Sequence, residues 1–169
     1  MRKKLMMSFE EVKQESKEQN GSPEVKGRLR QLQMEASRRS SGQRRALDDV
    51  PRATAIVTNP THFAVAIRYV PGETRAPVIV AMGKGPMAAE VLARGKAVGL
   101  APLQIPLLAR ALYVTGDIGA EINEQLFAAV AAVLAHVYRL ERGEGSNLPE
   151  VEVPQELRFN EFGRMEGTA

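Results

Sequence analysis

Asn59-Pro60-Thr61-His62 is the stretch of this sequence whose residue types and spacing could carry covalent chemistry. Asn followed by Pro is a common turn initiator, and on spacing alone the four residues read as a turn between extended segments. Pro in the middle position also removes this Asn-x-Thr from the glycosylation acceptors. A second reading concerns the peptide bond itself. Asparagine ordinarily degrades when the next backbone nitrogen attacks its side-chain amide, but Pro60 carries no N–H and closes that route. The roles can then reverse. The Asn59 side-chain nitrogen attacks the Asn59 carbonyl carbon, a succinimide ring closes, and the bond to Pro60 breaks. An amide nitrogen is a weak nucleophile, so the fold must hold it near the carbonyl, which removes part of the entropic barrier. His62 offers an imidazole that could move the proton, and Thr61 would tie the loop down with a hydrogen bond. The residues permit this reaction without compelling it.

Other candidates read more plainly. Gly83-Lys84-Gly85 before a helix could cradle a phosphate, but it lacks the full P-loop pattern, and an ordinary strand-to-helix turn is the simpler reading. His136 sits in an Ala-rich helical stretch and reads as a packed or solvated histidine. With no cysteine and only two histidines, His62 and His136, a disulfide scaffold and a thiolate metal site are excluded, and no metal or other cofactor is expected.

The elements that must position the loop follow from periodicity. Ala53 to Thr58 is a small apolar run, and Phe63, Val65, Ile67 and Tyr69 then alternate with smaller or polar residues, giving two strands around the tetrapeptide. Pro71-Gly72-Glu73 is a turn. Val78 to Ala81 is a continuous apolar run of the kind expected for a strand covered on both faces. Pro86 opens a helix that Gly99 closes, and Leu100 to Ile105 supplies a fourth strand. The 78–105 piece predicts a parallel, right-handed crossover. Pro106 to Tyr113 forms a helix, and Ile122, Leu126, Val130, Val133 and Val137 stripe a longer one ending near Gly143. The expected fold is α/β: a small mixed four-stranded sheet packed with helices.

The chain has 169 residues and a formal charge of +3, 44% of it hydrophobic and 25% charged, which suits one compact domain with extensions. The charge is unevenly placed. Residues 1–52 hold 13 basic against 8 acidic residues, whereas 141–169 hold 3 against 7. We therefore expect three pieces: a basic helical linker over 1–52, a folded domain over 53–142, and an acidic flexible tail over 143–169. Within the linker, Ser8-Phe9-Glu10-Glu11 suggests a capped helix over about 9–19. A basic helix should start near Pro23 and give out around Arg38 to Gln43. The longest apolar run, Leu126 to Tyr138, has 13 residues, too few for a membrane span, and Leu5-Met6-Met7 is too short for a signal-peptide core. The chain as given is expected to be soluble. The basic arm could lie on anionic lipid, on nucleic acid or on an acidic protein surface. The alternative function is thus a small basic nucleic-acid- or lipid-binding module in which Asn59-Pro60 is only a turn; against the first form, no aromatic residue follows Phe9 in the arm to stack bases.

Asn59-Pro60-Thr61-His62, entered through Val50-Pro51 and Ala55-Ile56-Val57-Thr58 and left through Phe63-Ala64-Val65-Ala66-Ile67, resembles the switch motif of the type III secretion export-apparatus family of the flagellar FlhB and injectisome YscU type. Glu11-Val12-Lys13 and Gly21-x-Pro23-Glu24-Val25-Lys26-Gly27-Arg28 resemble that family's linker. Pro106-Leu107-Leu108-Ala109-Arg110-Ala111-Leu112-Tyr113 and Val137-Tyr138-Arg139-Leu140 resemble its later helices. The resemblance spans about residues 7 to 142 and leaves the acidic tail outside. It implies the cytoplasmic portion of a longer protein anchored in the bacterial inner membrane. That portion cleaves itself once between Asn59 and Pro60, without being a turnover enzyme, and fragments 1–59 and 60–169 stay associated. Cleavage would accompany a switch from early to late export substrates. The implied roles are Asn59 as cyclising residue, Pro60 as new N-terminus, Thr61 as loop residue and His62 as assisting group. The implied partners are other export-apparatus proteins, export substrates and the hook- or needle-length control protein, with no nucleic acid and no cofactor. Two positions depart from the family pattern: Gly21-Ser22-Pro23 stands for Gly-Asp-Pro, and Ala81-Met82-Gly83 for Ala-Lys-Gly.

Overall fold

The computed structural model describes residues 22–60, 62–145 and 147–165. The helix expected over 9–19 and Thr61 lie outside the described residues. By its internal contacts the chain divides into two units, 1–41 and 42–169. Helix α1, Pro23–Ala46, begins in the first unit and ends in the second. In the first unit its side chains are solvent-facing, including Val25, Leu29, Leu32 and Met34.

The second unit is built on a four-stranded sheet of β1 (Ala55–Asn59), β2 (Phe63–Arg68), β3 (Val78–Lys84) and β4 (Pro102–Gln104), in the order β3-β2-β1-β4. β1 pairs antiparallel with β2, with Asn59 opposite Phe63, and parallel with β4, with Val57 opposite Leu103. β2 pairs antiparallel with β3. The mixed four-stranded sheet is the one expected. β3 and β4 do run in the same direction, but at opposite edges, so the connection between them passes two strands rather than joining neighbours.

The connecting helix α2, Pro86–Ala97, carries Pro at its first turn and follows Gly85 at φ 58°, a backbone region that only glycine enters at no cost. Its far end is a Schellman motif. Leu100 N–H donates to Gly95 O at 2.9 Å and Gly99 N–H to Lys96 O at 3.1 Å, with Gly99 at φ 82°, so the last carbonyls are satisfied before β4 begins. Helix α3, Pro106–Thr115, follows β4, and helix α4, Phe127–Glu141, is reached through a 3-10 turn at Glu124–Leu126. The apolar stripe read from the sequence is therefore split. Ile122 and Leu126 are buried but precede α4, while Val130 and Val133 lie within it.

The sheet separates two cores. On one face Val57, Val65, Ile67 and Ile79 pack with Leu108 and Leu112 of α3 and Val130 and Val133 of α4. On the other, Ile56, Ala64, Ala66 and Ala81 pack with Ala88 and Val91 of α2 and with Ala46, Leu47 and Val50. This revises which strands are covered on both sides. β1 and the first five residues of β2 are buried throughout, whereas β3 alternates. The period-two pattern in β2 marks large residues against small ones, not buried against exposed; alanines on one face let α2 approach closely. β3 lies at the edge, where Ile79 N–H donates to Ala120 O at 3.1 Å and Gly119 N–H to Ile79 O at 2.7 Å, so part of its free ladder is covered.

Two expected boundaries move. Ala46, Leu47 and Val50 are buried in the core, so the last residues of the expected 1–52 linker belong to the folded unit. α1 continues through the polar Arg38–Gln43 stretch because its end docks there. The segment expected as a flexible tail also meets the folded unit. Val153 and Leu157 enter the core beside α3 and α4, and Phe159 packs against it. Val151, Val153, Leu157 and Phe159 together seat an otherwise acidic segment.

Candidate functional site

The Asn-Pro turn projects from the end of β1. Asn59 O accepts from His62 N–H at 3.0 Å, the one-to-four bond of a tight turn. His62 O in turn accepts from Gly85 N–H at 2.9 Å, which ties the turn to the start of α2. Behind it, Thr58 Oγ1 donates to Phe63 O at 2.7 Å in a buried setting, and Thr58 O accepts from Ile105 N–H at 3.2 Å. The loop is thus clamped from its own far end, from the β3–α2 junction and from the β4–α3 junction.

Asn59 is 7% exposed, and its Nδ2 is the one buried side-chain polar atom among the described residues that has no hydrogen-bond partner. A buried amide left unpaired costs about 1–3 kcal/mol, so its retention in a clamped loop calls for a reason. Chemically, an unpartnered amide nitrogen is free to approach an electrophile. Its own carbonyl carbon is the one covalently closest, and the oxygen on that carbon already receives a backbone N–H.

The sequence placed Asn59, Pro60, Thr61 and His62 in one site, and the turn brings Asn59, Pro60 and His62 together. Thr61 lies outside the described residues. The direct contact of His62 with Asn59 is through its backbone N–H, which the sequence reading did not anticipate. Its imidazole makes no hydrogen bond to Asn59 Nδ2; instead Nε2 lies 3.4 Å from Glu161 Oε2, both side chains being about half exposed. The sequence reading also missed Gly85, whose N–H is taken by His62 O, so the Gly83-Lys84-Gly85 turn spends that donor on the loop rather than on a phosphate. His136 is buried within α4 and has a partner. No helix among the described residues is long and apolar enough to cross a membrane.

A mixed four-stranded sheet between helical layers, with a clamped Asn-Pro turn at the end of an inner strand, defines the class of domain. The profile of the FlhB HrpN YscU SpaS family matches residues 1–137, and the chain belongs to that family. It is 44% identical over 163 residues to the flagellar biosynthetic protein FlhB of Salmonella typhimurium, covering 93% of this chain and 41% of that protein. It is 35% identical over 137 residues to FlhB of Bacillus subtilis, covering 81% and 37%. The chain thus spans about two-fifths of the length of these relatives. Among solved structures, the cytoplasmic domain of FlhB from Shewanella putrefaciens superimposes with a TM-score of 0.63 at 34% identity, over 69% of this chain and 95% of that one. A mutated EscU C-terminal domain gives 0.53 at 28% identity, over 54% and 92%. Coverage of 93% leaves too little unmatched for all of 143–169 to fall outside, so the expectation that the resemblance stops before the acidic segment is corrected.

Proposed function

We propose that this chain is the cytoplasmic portion of a flagellar export-apparatus protein and that it cuts its own backbone once, between Asn59 and Pro60. The carrying observation is the buried Asn59 Nδ2 without a partner, on a residue whose carbonyl oxygen accepts the His62 N–H. Attack of Nδ2 on the Asn59 carbonyl carbon forms a C–N bond and moves charge onto the carbonyl oxygen. The His62 N–H is already aimed there, the arrangement that stabilises an oxyanion without reorganisation. As the intermediate collapses, the bond to Pro60 breaks, and a proton leaving Nδ2 ends on the Pro60 nitrogen, with the His62 imidazole as its carrier. Fragment 1–59 then ends in a succinimide that water can open. The reaction consumes its own substrate, so the domain is not a turnover enzyme.

The sheet supports continued association of the two fragments. β1 pairs with β2 and β4 through bonds that the cut does not touch, and Val50, Ile56 and Val57 on the 1–59 side are fully buried. At about 1.5–3 kcal/mol for each such side chain, burial alone opposes separation. What changes is local: two new chain ends and a new amine at Pro60, able to remodel a surface. We assign this change to the switch between early and late export substrates. The partners would be other export-apparatus proteins, the substrates and a length-control protein, at the cytoplasmic face of the bacterial inner membrane, where a longer form of the protein is anchored. The greater identity to flagellar relatives than to EscU favours the flagellar system.

The test is the intact mass of freshly purified protein under denaturing conditions, beside an Asn59→Ala variant. Two fragments meeting at Asn59/Pro60 in the wild type alone are expected. A wild type that stays whole for days at neutral pH would overturn the proposal.

A further inference from the structure

The C-terminal segment brings a carboxylate to the Asn-Pro loop on a fixed support. Glu161 Oε2 lies 3.4 Å from His62 Nε2. The residues around it form a small pinned turn. Arg110 Nε on α3 donates to Phe159 O at 2.6 Å, Phe159 packs on the core, and Phe159 and Met165 form a β-bridge. Inside that bridge, Asn160 Oδ1 accepts from Phe162 N–H at 2.9 Å and Arg164 N–H at 3.0 Å. Asn160 N–H donates to Arg164 O at 2.6 Å, and Gly163 turns the chain at φ 77°. Upstream, Val153 and Leu157 are buried and Arg158 Nε donates to Val153 O at 2.8 Å. The backbone of Glu161 is therefore held at both ends.

We propose that Glu161 is a positioning residue for the self-cleavage: its carboxylate accepts the Nε2 proton of His62, fixing the ring's tautomer and rotation and leaving Nδ1 to exchange the reaction proton. Which ring nitrogen carries the proton is set by the bond the other one makes, and Glu161 Oε2, 3.4 Å from Nε2, is the acceptor placed to set it. In the step it serves, Nδ1 accepts a proton from Asn59 Nδ2 as the new C–N bond forms. The same proton passes to the Pro60 nitrogen as the old C–N bond breaks, so Glu161 and His62 end as they began. This inference rests on the cleavage reading above and adds a group that no pattern around the tetrapeptide reveals.

The experiment follows the cleavage rate of the full chain by mass for wild type, Glu161→Gln, Glu161→Asp, His62→Ala and the His62→Ala/Glu161→Gln double variant. Glu161→Gln should be slower by about three- to fivefold, the size suited to a half-exposed contact with a carboxylate, with an unchanged melting temperature. Glu161→Asp should recover part of that loss. In the His62→Ala background the Glu161→Gln change should add no further slowing, because its effect runs through the imidazole. A Glu161→Gln rate equal to wild type, or the same slowing with and without His62, overturns the positioning role while leaving self-cleavage intact. A wild type that does not cleave removes both readings.

Discussion

Replacing Ile56 with alanine should separate what the proposed cut would leave joined. Ile56, the second residue of β1, is fully buried on the α2 face of the sheet and packs among Ala64, Ala66, Ala81, Ala88 and Val91. It fits so closely over α2 that a β-carbon added at Gly95 would collide with its Cδ1. Alanine at the other small sites leaves no side chain able to fill the space, so the cost should reach the usual range for a core Ile→Ala change, about 2–5 kcal/mol. In a chain kept whole by Asn59→Ala, that cost appears as lost folding stability, about 2–4 °C of melting temperature per kcal/mol. In the cleaved protein the same contact lies between separate polypeptides, so it becomes a loss of affinity, raising the fragment Kd by about thirtyfold to a few thousandfold. Sedimentation of the cleaved protein over a dilution series reads this directly. Wild-type fragments should move as one particle to lower concentrations than the Ile56→Ala fragments, while the uncleaved double variant never divides. Equal dissociation of the two cleaved forms, with the expected fall in melting temperature of the whole chain, would refute the claim that β1 burial holds the fragments together.

Pro60→Ala restores an N–H to residue 60, reopening attack by that nitrogen on the Asn59 side chain. Mass analysis should then show slower chain cleavage together with deamidation at Asn59, and unchanged cleavage without deamidation would count against the mechanism. Gly83→Ala would place a β-carbon 2.5 Å from Met87 Cγ and 2.7 Å from the Met87 backbone carbon; the overpacking should cost about 1–3 kcal/mol in chemical denaturation, and a neutral result would show that α2 can shift. The Tyr138 phenol is pushed above its ordinary range by desolvation first, then by Glu141 and Tyr69. The folded chain therefore holds that proton more tightly than the unfolded one, a stabilisation present below pH 10.0 and lost as pH rises through the raised value. Tyr138→Phe should flatten the alkaline fall of the melting temperature, and an unaltered fall would assign it to other groups.

The sequence made the loop legible because Pro60 forbids one reaction and Asn59 permits another, a matter of covalent structure that needs no fold. The strands around it were equally visible in their periodicity. Burial was harder to read. Ala64 and Ala66 look like the outer face of β2 when periodicity is taken as polarity, yet they are the floor on which α2 rests. Val153, Leu157 and Phe159 are too few to stand out in an acidic, proline-containing stretch, although each finds a place against the core. The contributions of Gly85 and Glu161 to the loop depend on backbone donors and on a residue far along the chain, which no local spacing encodes.

The position of β1 also has a mechanical meaning. Its ladders to β2 and β4 flank it on both sides, the antiparallel bonds to β2 perpendicular to the strand and the parallel ones to β4 slanted across it. A pull on fragment 1–59 along the strand, against the rest of the domain, therefore loads the two ladders in shear. Their bonds must yield together rather than one after another, as they would if the strand were peeled sideways. A joint of this kind resists force along its axis better than across it, so a backbone cut after Asn59 would still transmit tension.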